Sequence, residues 1–206
     1  MRLKEEYREN TEIQKSKFTA CLCPCRSEEE ARMYIDIIRR EFSDATHVCT
    51  AYVIGENRQI RRSNDNGEPS GTAGIPMLEA ILHTEVTDIC ACVVRYFGGI
   101  KLGAGGLIRA YGGAVADALA HAPKTVDVPY DEWKITYPYD MSGTLENWLR
   151  RNTDIISQEY DEQVTCIIQT DRHDIPETVR DYSRGTIQPQ FIRTLMREKD
   201  VENEQV

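Results

Sequence analysis

The hydrophobic positions of the first part of the chain recur with two periods, and each period predicts a different element. Apolar residues alternate with polar ones in some segments, as in half-buried strands, and recur every three or four residues in others, as on one face of a helix. Residues 86–97 are almost continuously apolar, which is typical of a central strand. The pattern predicts strands within 7–25, 46–54, 59–62 and 86–97, and helices over about 27–42, 72–83 and 107–121.

A second run of elements follows a proline-flanked segment at 122–129, which is interpreted as a domain boundary. Beyond it the pattern predicts strand, helix, strand, strand, helix, strand, which is the split βαβ order of ferredoxin-like domains. The sequence therefore predicts an α+β protein with two domains, residues 1–125 and 126–206, and a frayed end from Glu198 to Val206. The predicted elements of the second domain are strands at 130–139, 154–160, 163–170 and 186–193, and helices at 142–151 and 175–184.

Composition is that of an ordinary globular protein, with 29% charged and 40% hydrophobic residues among 206. No apolar run approaches the ~20 residues that span a bilayer, and the first residues lack the apolar core of a secretion signal. A cytoplasmic protein with no membrane contact is expected.

Seven cysteines, an odd number, fit a reducing compartment better than a disulfide framework. Cys21, Cys23 and Cys25 alternate, so a strand would place them on one face, and Cys90 and Cys92 alternate in the same way. The chain has no Cys-x-x-Cys pair. Buried structural cysteines are therefore predicted in preference to a metal site.

Net charge is −9, but it is unevenly distributed. Residues 1–125 carry 16 Lys and Arg against 17 Asp and Glu, whereas residues 126–206 carry 9 against 17. Indiscriminate binding to nucleic acid is disfavoured, above all for the second domain. The near balance of charge in the first domain is compatible with a local basic face there.

Glycine is concentrated in one stretch, because ten of the 13 glycines lie between Gly67 and Gly113. Strand 93–97, a glycine-rich loop at 98–106 and a helix from Leu107 form a layout that presents backbone N–H groups to an anion. Tight packing of loop on helix explains the glycines equally well. The Walker and dinucleotide fingerprints are both absent, and no cofactor is predicted.

Basic and aromatic residues flank this loop. Arg95, Lys101 and Arg109 could form a basic patch, and Tyr96, Phe97 and Tyr111 could add aromatic surface. That combination suits nucleic acid or an anionic peptide. The alternative is that solvated arginines simply flank a buried strand.

A hydrolase is the alternative function considered. Its pocket would combine Glu68, Ser70, Thr72, His47 and Arg95. Ser70 is not in a Gly-x-Ser-x-Gly elbow, however, and nothing in the sequence joins it to a histidine and an acid. Ser70 or Thr72 is more readily interpreted as the N-cap of the helix that follows.

Five segments together resemble the signature of the IMPACT/YigZ family, in its bacterial two-domain type. They are Lys15–Phe18, Asp65–Gly74, Val94–Gly99, Leu102–Tyr111 and Asp181–Gly185. The match runs over most of residues 10–120, and the last segment extends the resemblance to nearly the whole chain. The resemblance implies a first domain like an α/β domain of a ribosomal protein and domain IV of elongation factor G. It implies a ferredoxin-like second domain like domain V of that factor.

For function, the resemblance implies a binding surface around the glycine-rich signature, and the leading hypothesis is a non-enzymatic binding protein. Eukaryotic members act in translational control by restraining an amino-acid-starvation kinase, but they carry another domain that this chain lacks. The expected partner is RNA, the ribosome or a translation-related protein, with the ferredoxin-like domain as a further candidate binding module. The expected binding residues are Glu68, Ser70, Thr72, Arg95, Tyr96, Gly98, Gly99, Lys101, Gly103, Gly105, Gly106, Arg109 and Tyr111.

Overall fold

The computed structural model describes residues 1–201. These residues form two compact units: residues 1–126 together with Asp200 and Val201, and Asp127–Lys199. The protein is a mixed α and β structure with two sheets and five α-helices in the described residues. Residues 202–206, part of the end predicted to be frayed, lie outside the described residues.

The first unit is built on a five-stranded antiparallel sheet in the order β2-β3-β6-β4-β5. Its elements are β1 (Arg2–Leu3), β2 (Tyr7–Ile13), β3 (Ser16–Pro24), α1 (Glu28–Glu41), β4 (His47–Ile54), β5 (Ile60–Asn64), α2 (Gly74–Leu82), β6 (Ile89–Tyr96) and α3 (Gly103–His121).

Helices cover both faces of this sheet, which explains the continuous apolar run of β6. Alternate residues of the central strands pack beneath α1 on one face and beneath α2 and α3 on the other. Because side chains alternate across a strand, β6 buries Cys92 and Val94 under α1 but Val93 under α3. The five cysteines of β3 and β6 and the segment after β3 lie on the α1 face, and none of the seven cysteines forms a disulfide.

The second unit contains the remaining elements, in the order strand, helix, strand, strand, helix, strand. They are β7 (Lys124–Tyr137, which begins in the first unit), α4 (Asn147–Asn152), β8 (Asp154–Tyr160), β9 (Val164–Thr170), α5 (Ile175–Ser183) and β10 (Gln190–Asp200). A 3₁₀ turn and a π-helical turn precede α4. The sheet order within the unit is β10-β7-β9-β8. Its core includes Ile135, Leu149, Cys166 and Val179.

Some predicted element boundaries differ from those of the structure. The two units divide between Val126 and Asp127, within the predicted boundary segment 122–129, although β7 starts at Lys124, pairs there with β1, and runs through Pro129. The last strand is Gln190–Asp200 rather than 186–193, so Glu198 to Asp200 are not frayed, and the N–H of Val201 donates to the carbonyl of Lys124. Among residues 1–201, no helix is long and apolar enough to cross a membrane.

Helix α3 also starts earlier than predicted. It begins at Gly103 instead of Leu107, so Gly103, Gly105 and Gly106 form its first turn and not a loop. Glycine is a poor helix former, which is why its cluster predicted a loop. The first-turn N–H groups of a helix have no partner within the helix. Gly103 and Gly105 therefore place free N–H donors at this point of the surface, whereas the N–H of Gly106 has the carbonyl of the N-cap residue as its acceptor within the helix.

Candidate functional site

The glycine-rich signature comes together where β6 ends. The loop after β6 leads into α3, the loop from Asp65 to Ala73 leads into α2, and the start of β3 lies beside both. Residue pairing places His47 of β4 opposite Arg95 of β6, and Phe18 of β3 opposite Arg95 on the other side. Sequence-distant segments thus meet at one end of the central strand.

A buried ion pair lies at the centre of the site. Nη1 of Arg95 donates to Oε1 of Glu68 at 2.6 Å, and both side chains are about 95% buried, with 6% and 4% exposed. The hydroxyl of Tyr111, from α3, donates to the same oxygen at 2.7 Å. Burial raises the pKa of Tyr111, so this hydroxyl stays a donor. One carboxylate thus joins β6, α3 and the loop before α2.

The Arg95 guanidinium is further held by β3 and by two phenyl rings. Its Nη2 donates to the hydroxyl of Ser16 at 3.3 Å, and its Cζ lies 5.5 Å from the ring centroids of both Phe18 and Phe97. Phe18 is buried, whereas Phe97 is 45% exposed and covers the pair from outside. Nε of Arg95 is buried without a hydrogen-bond partner among residues 1–201. Arginine over an aromatic face is a favourable cation–π geometry.

Asp65 fixes the loop that carries Glu68. Its Oδ1 accepts from the backbone N–H of Ala73 and Gly74, and its Oδ2 accepts from that of Gly71. Burial works against ionisation, but these three bonds outweigh it and hold the pKa of Asp65 below its ordinary value. The N-cap residue of α2 is Ala73, so the prediction of Ser70 or Thr72 as N-cap was wrong, and the side chain of Asp65 caps the start of the helix from earlier in the loop. The Thr72 hydroxyl instead donates to the carbonyl of Pro69.

His47 lies beside the ion pair but is not within hydrogen-bond distance of Glu68. Its Nδ1 lies 2.8 Å from the carbonyl oxygen of Asn66, and its Nε2 is 3.9 Å from Oε1 of Glu68. The carbonyl contact assigns the proton to Nδ1, because a carbonyl oxygen can only accept. Ser70 is exposed and forms no hydrogen bond to these residues within the part of the chain that the structure describes.

The N-terminus of α3 is open to solvent. Leu102 precedes it and supplies no side-chain cap, and Gly103 adopts a φ of +69°. Lys101 and Arg109 are exposed beside it, and neither forms an ion pair with another residue of 1–201. The helix dipole and the free N–H groups make this end attractive to an anion.

The glycines around this end have two different roles. A Cβ at Gly98 would lie 1.9 Å from the carbonyl oxygen of Lys15, so Gly98 lets the loop cross the β2–β3 hairpin. Gly74 likewise lies against the backbone of Asn64. By contrast, a Cβ at Gly99 or Gly103 would meet nothing within 4 Å in the described part of the chain. Tight packing explains Gly98 and Gly74, whereas Gly99 and Gly103 require glycine only because their φ angles are positive.

A cleft of about 360 Å³ lies between this helix end and the Glu68 loop. Apolar side chains form most of its wall, and Arg95, Lys101 and Glu68 are its charged members. Residues 1–201 contain no group of three or more His, Cys, Asp or Glu side chains placed to hold a metal ion. The arrangement suits a ligand with an apolar body and an anionic group. The apolar wall consists of Pro69, Phe97, Leu102, Gly103, Ala104 and Leu107.

Comparison with known proteins identifies the site as a family signature. The family model described as the Impact N-terminal domain matches residues 14–119, which is slightly more than half of the chain and contains every residue of the site. The chain belongs to the IMPACT family.

Two IMPACT relatives and one solved structure are similar over most of the chain. The IMPACT family member YvyE of Bacillus subtilis (strain 168) is 46% identical over 153 residues, 74% of this chain and 70% of the relative. The member YigZ of Escherichia coli (strain K12) is 36% identical over 183 residues, 86% of this chain and 90% of the relative. A crystal structure of a protein described as hypothetical is 34% identical, with a TM-score of 0.59 over 93% of this chain and 96% of the other.

The structure separates the predicted binding residues of this IMPACT protein into three groups. Glu68, Thr72, Arg95 and Tyr111 are buried and hold the site together, so Arg95 and Tyr111 do not form the predicted exposed patch. Tyr96 lies on the α1 face and donates to Asp44, away from the ion pair. Exposed at the site or beside it are Ser70, Gly99, Lys101, Gly103, Gly105 and Arg109, with Gly98 and Gly106 half-buried.

Sequence reasoning missed Ser16 and Phe18 as partners of Arg95, and Asp65 as a cap. The Lys-x-Ser-x-Phe element of the resemblance contained both partners, but only strand pairing brings them to Arg95. Asp65 accepts from N–H groups that lie 6, 8 and 9 residues further along the chain, and only the folded loop brings them to its carboxylate.

A larger cleft, of about 740 Å³, lies along α2 and α3. Its walls are chiefly small and apolar side chains, including Pro76, Ala80, Gly112 and Ala116. It lacks the buried polar network of the smaller cleft. The candidate site is therefore the cleft at the start of α3.

Proposed function

We propose that this IMPACT protein is a non-enzymatic binding protein connected with translation, and that it contacts RNA through the α3 surface. The α3 surface consists of the exposed backbone of residues 98–106 with the side chains of Phe97, Lys101 and Arg109. One observation carries the proposal: the α3 N-terminus has no side-chain cap, and two cationic side chains without an ion pair in residues 1–201 are exposed beside it.

Electrostatics supports an anionic partner at this surface despite the net charge of −9. Phosphate groups bind to helix N-termini because the N–H groups and the dipole both favour negative charge. Lys101 and Arg109 add two full charges within the reach of the same turn. The buried Glu68 is neutralised by Arg95, so it does not oppose the anion.

The rigid support beneath the surface also favours binding. The Glu68–Arg95–Tyr111 network ties the loop before α2, strand β6 and helix α3 to one another, and Gly98 fixes the intervening loop on β3. A preorganised surface loses little conformational entropy when it binds. The buried members of the network thus act by positioning the exposed ones.

The hydrolase alternative has less support from the geometry. Nucleophilic catalysis by serine needs a base within hydrogen-bond reach of the hydroxyl. The Nδ1 of His47 contacts a backbone carbonyl, and its Nε2 faces Glu68, whose carboxylate already accepts from Arg95 and Tyr111. Ser70 contacts none of them within residues 1–201. This arrangement favours a structural role for the cluster.

The proposal also assigns a domain type to each of the two units. We propose that the first unit is the α/β domain implied by the resemblance, similar to domain IV of elongation factor G. The second is proposed to be a ferredoxin-like domain, which the order β-α-β-β-α-β and the sheet order β10-β7-β9-β8 support. Its acidic balance makes the first domain the better candidate for RNA.

Co-sedimentation with ribosomes from cell lysate, with and without RNase, tests the proposal. The Lys101→Glu/Arg109→Glu variant should lose association, because it reverses both exposed charges at the α3 N-terminus. The Arg39→Glu/Arg40→Glu variant makes the same change in net charge on the exposed side of α1, on the other face of the sheet, and should still associate. Absence of association for the wild-type protein, or equal losses in both variants, would refute the proposal.

A further inference from the structure

The cleft beside the α3 surface contains an exposed aromatic ring, which a purely electrostatic contact would not require. Phe97 is 45% exposed at the mouth of the cleft, and one face of its ring is occupied by the guanidinium of Arg95. Arg95 is itself 5% exposed, and its Nε has no hydrogen-bond partner within the described residues. One face of the Phe97 ring therefore packs on Arg95, and the rest of the ring is accessible to a ligand.

The cleft places an apolar wall next to groups that can bind an anion. Pro69, Leu102 and Leu107 continue the apolar wall from Phe97, and Lys101 and the first turn of α3 lie at the same cleft. Its volume of about 360 Å³ is near the lower end of small-ligand sites, which span roughly 300–1,000 Å³. This is room for one planar group with one attached phosphate, and not for a duplex.

We infer that this cleft holds a single unpaired nucleotide of the bound RNA, with its base against Phe97 and its phosphate at Lys101 and the N–H groups of Gly103–Gly105. The inference rests on the proposed function. A base can reach the ring only when it is unpaired, since in a duplex it is stacked and its face is covered. Aromatic stacking of this kind tolerates any base, because every base has a π-face.

Arg95 is a positioning residue in this arrangement. It is paired with Glu68 and held by Ser16, so it keeps Phe97 at the mouth of the cleft instead of contacting phosphate directly. Because its charge is neutralised by Glu68, its part in binding is to hold the ring against which the base stacks.

Fluorescence anisotropy with a labelled oligoribonucleotide of about ten nucleotides, alone or annealed to its complement, tests the inference; single-strand binders occupy roughly 4–16 nucleotides. Phe97→Leu keeps an apolar side chain but removes the ring, and should weaken single-strand binding by roughly 5- to 100-fold. Phe97→Trp should retain or strengthen it. Binding of the duplex should be weak and should change less than about two-fold in either variant.

The outcomes separate the inference from the proposed function. If Phe97→Leu binds the single strand like wild type while Lys101→Glu/Arg109→Glu does not, the nucleotide assignment is overturned and the α3 surface remains an RNA site. Competition by a short poly-glutamate peptide as effective as that by RNA would also overturn it, in favour of an acidic protein partner.

Failure of the wild-type protein to bind either RNA, or to sediment with ribosomes, would refute the proposed function itself. Thermal denaturation of each variant establishes its folding, and Phe97→Trp remains informative if Phe97→Leu unfolds.

Discussion

At the scale of single residues, the pair Glu68–Arg95 is the most consequential contact of the site. Both side chains are almost fully buried, and Glu68 also accepts from Tyr111. Removing one member leaves an unpaired charge in the interior, which costs about 3–5 kcal/mol. Arg95→Met should therefore lower the free energy of unfolding by that amount, measured by urea denaturation at neutral pH.

A second substitution distinguishes charge burial from packing. Glu68→Leu combined with Arg95→Met removes both charges, and apolar replacement of a whole buried pair is often neutral or stabilising. The double variant should thus be more stable than Arg95→Met alone. If the two losses simply add, the attraction between Glu68 and Arg95 is not what makes the single change costly.

Asp65 provides a pH-dependent contribution at the same scale. Three backbone N–H groups donate to its carboxylate and lower its pKa in the folded protein. The unfolded value is about 3.9. A depressed folded pKa means that the stabilisation is present above the unfolded pKa and is lost as the pH falls through the folded pKa.

Asp65→Asn leaves one accepting oxygen for the three backbone N–H groups, so it should destabilise the protein by about 1–3 kcal/mol at neutral pH, the usual cost of leaving a buried donor unpaired. The difference from wild type should be constant from about pH 5.5 to 8 and shrink below about pH 4, as the pH falls past the unfolded pKa and then through the lower folded pKa of the wild-type carboxylate. Denaturation curves at several pH values measure it. A difference that grows towards acid pH would contradict this role for Asp65.

At the scale of elements, two glycines that look alike in sequence have opposite requirements. Gly98 crosses the hairpin so closely that a Cβ would overlap the Lys15 carbonyl, whereas Gly113 lies within α3, where a Cβ would meet no described atom within 4 Å. Gly98→Ala should separate the loop from β3. Overpacking usually costs about 1–3 kcal/mol, and the loss of stability here should lie at or above the upper end of that range. Gly113→Ala should stabilise α3 by roughly 0.5–1 kcal/mol.

Thermal denaturation of both alanine variants checks this prediction, since the substitution is chemically identical at the two positions. The helix effect follows from the lower entropy of the unfolded alanine chain and needs no new contact. Equal effects at Gly98 and Gly113 would show that the close approach of the loop to Lys15 does not restrict position 98.

Element order could largely be predicted from the sequence, because periodicity reflects which faces are buried. The central β6 and the amphipathic α1, which buries Ala31 and Ile38, follow directly from that pattern. The start of α3 could not, since glycine propensity favours a loop and only the fold makes Gly103 helical. The segment 122–129, predicted as a boundary, does contain the point between Val126 and Asp127 where the two units divide, but the pattern did not show that β7 continues through it. The Glu68–Arg95 pair needed strand pairing, which a single sequence does not specify.

At the scale of the whole molecule, the net charge of −9 raises the question of how an anionic partner can bind at all. Screening at physiological salt limits charge interactions to about 8 Å, so local charges outweigh the distant acidity. Lys101 and Arg109 are local to the α3 N-terminus, whereas Arg39 and Arg40 lie on α1. Binding should therefore depend on where charge is placed, and not on its total.

The salt dependence of single-strand RNA binding makes this quantitative. Each neutralised phosphate contributes about −0.7 to the slope of log K against log salt concentration. Lys101→Glu/Arg109→Glu should therefore reduce the magnitude of the slope by about 1.4, because two phosphates are no longer neutralised. Arg39→Glu/Arg40→Glu acquires the same net charge but should keep the wild-type slope. Equal slopes in the two variants would mean that the protein senses RNA through its overall charge, and the α3 surface would then have no special role.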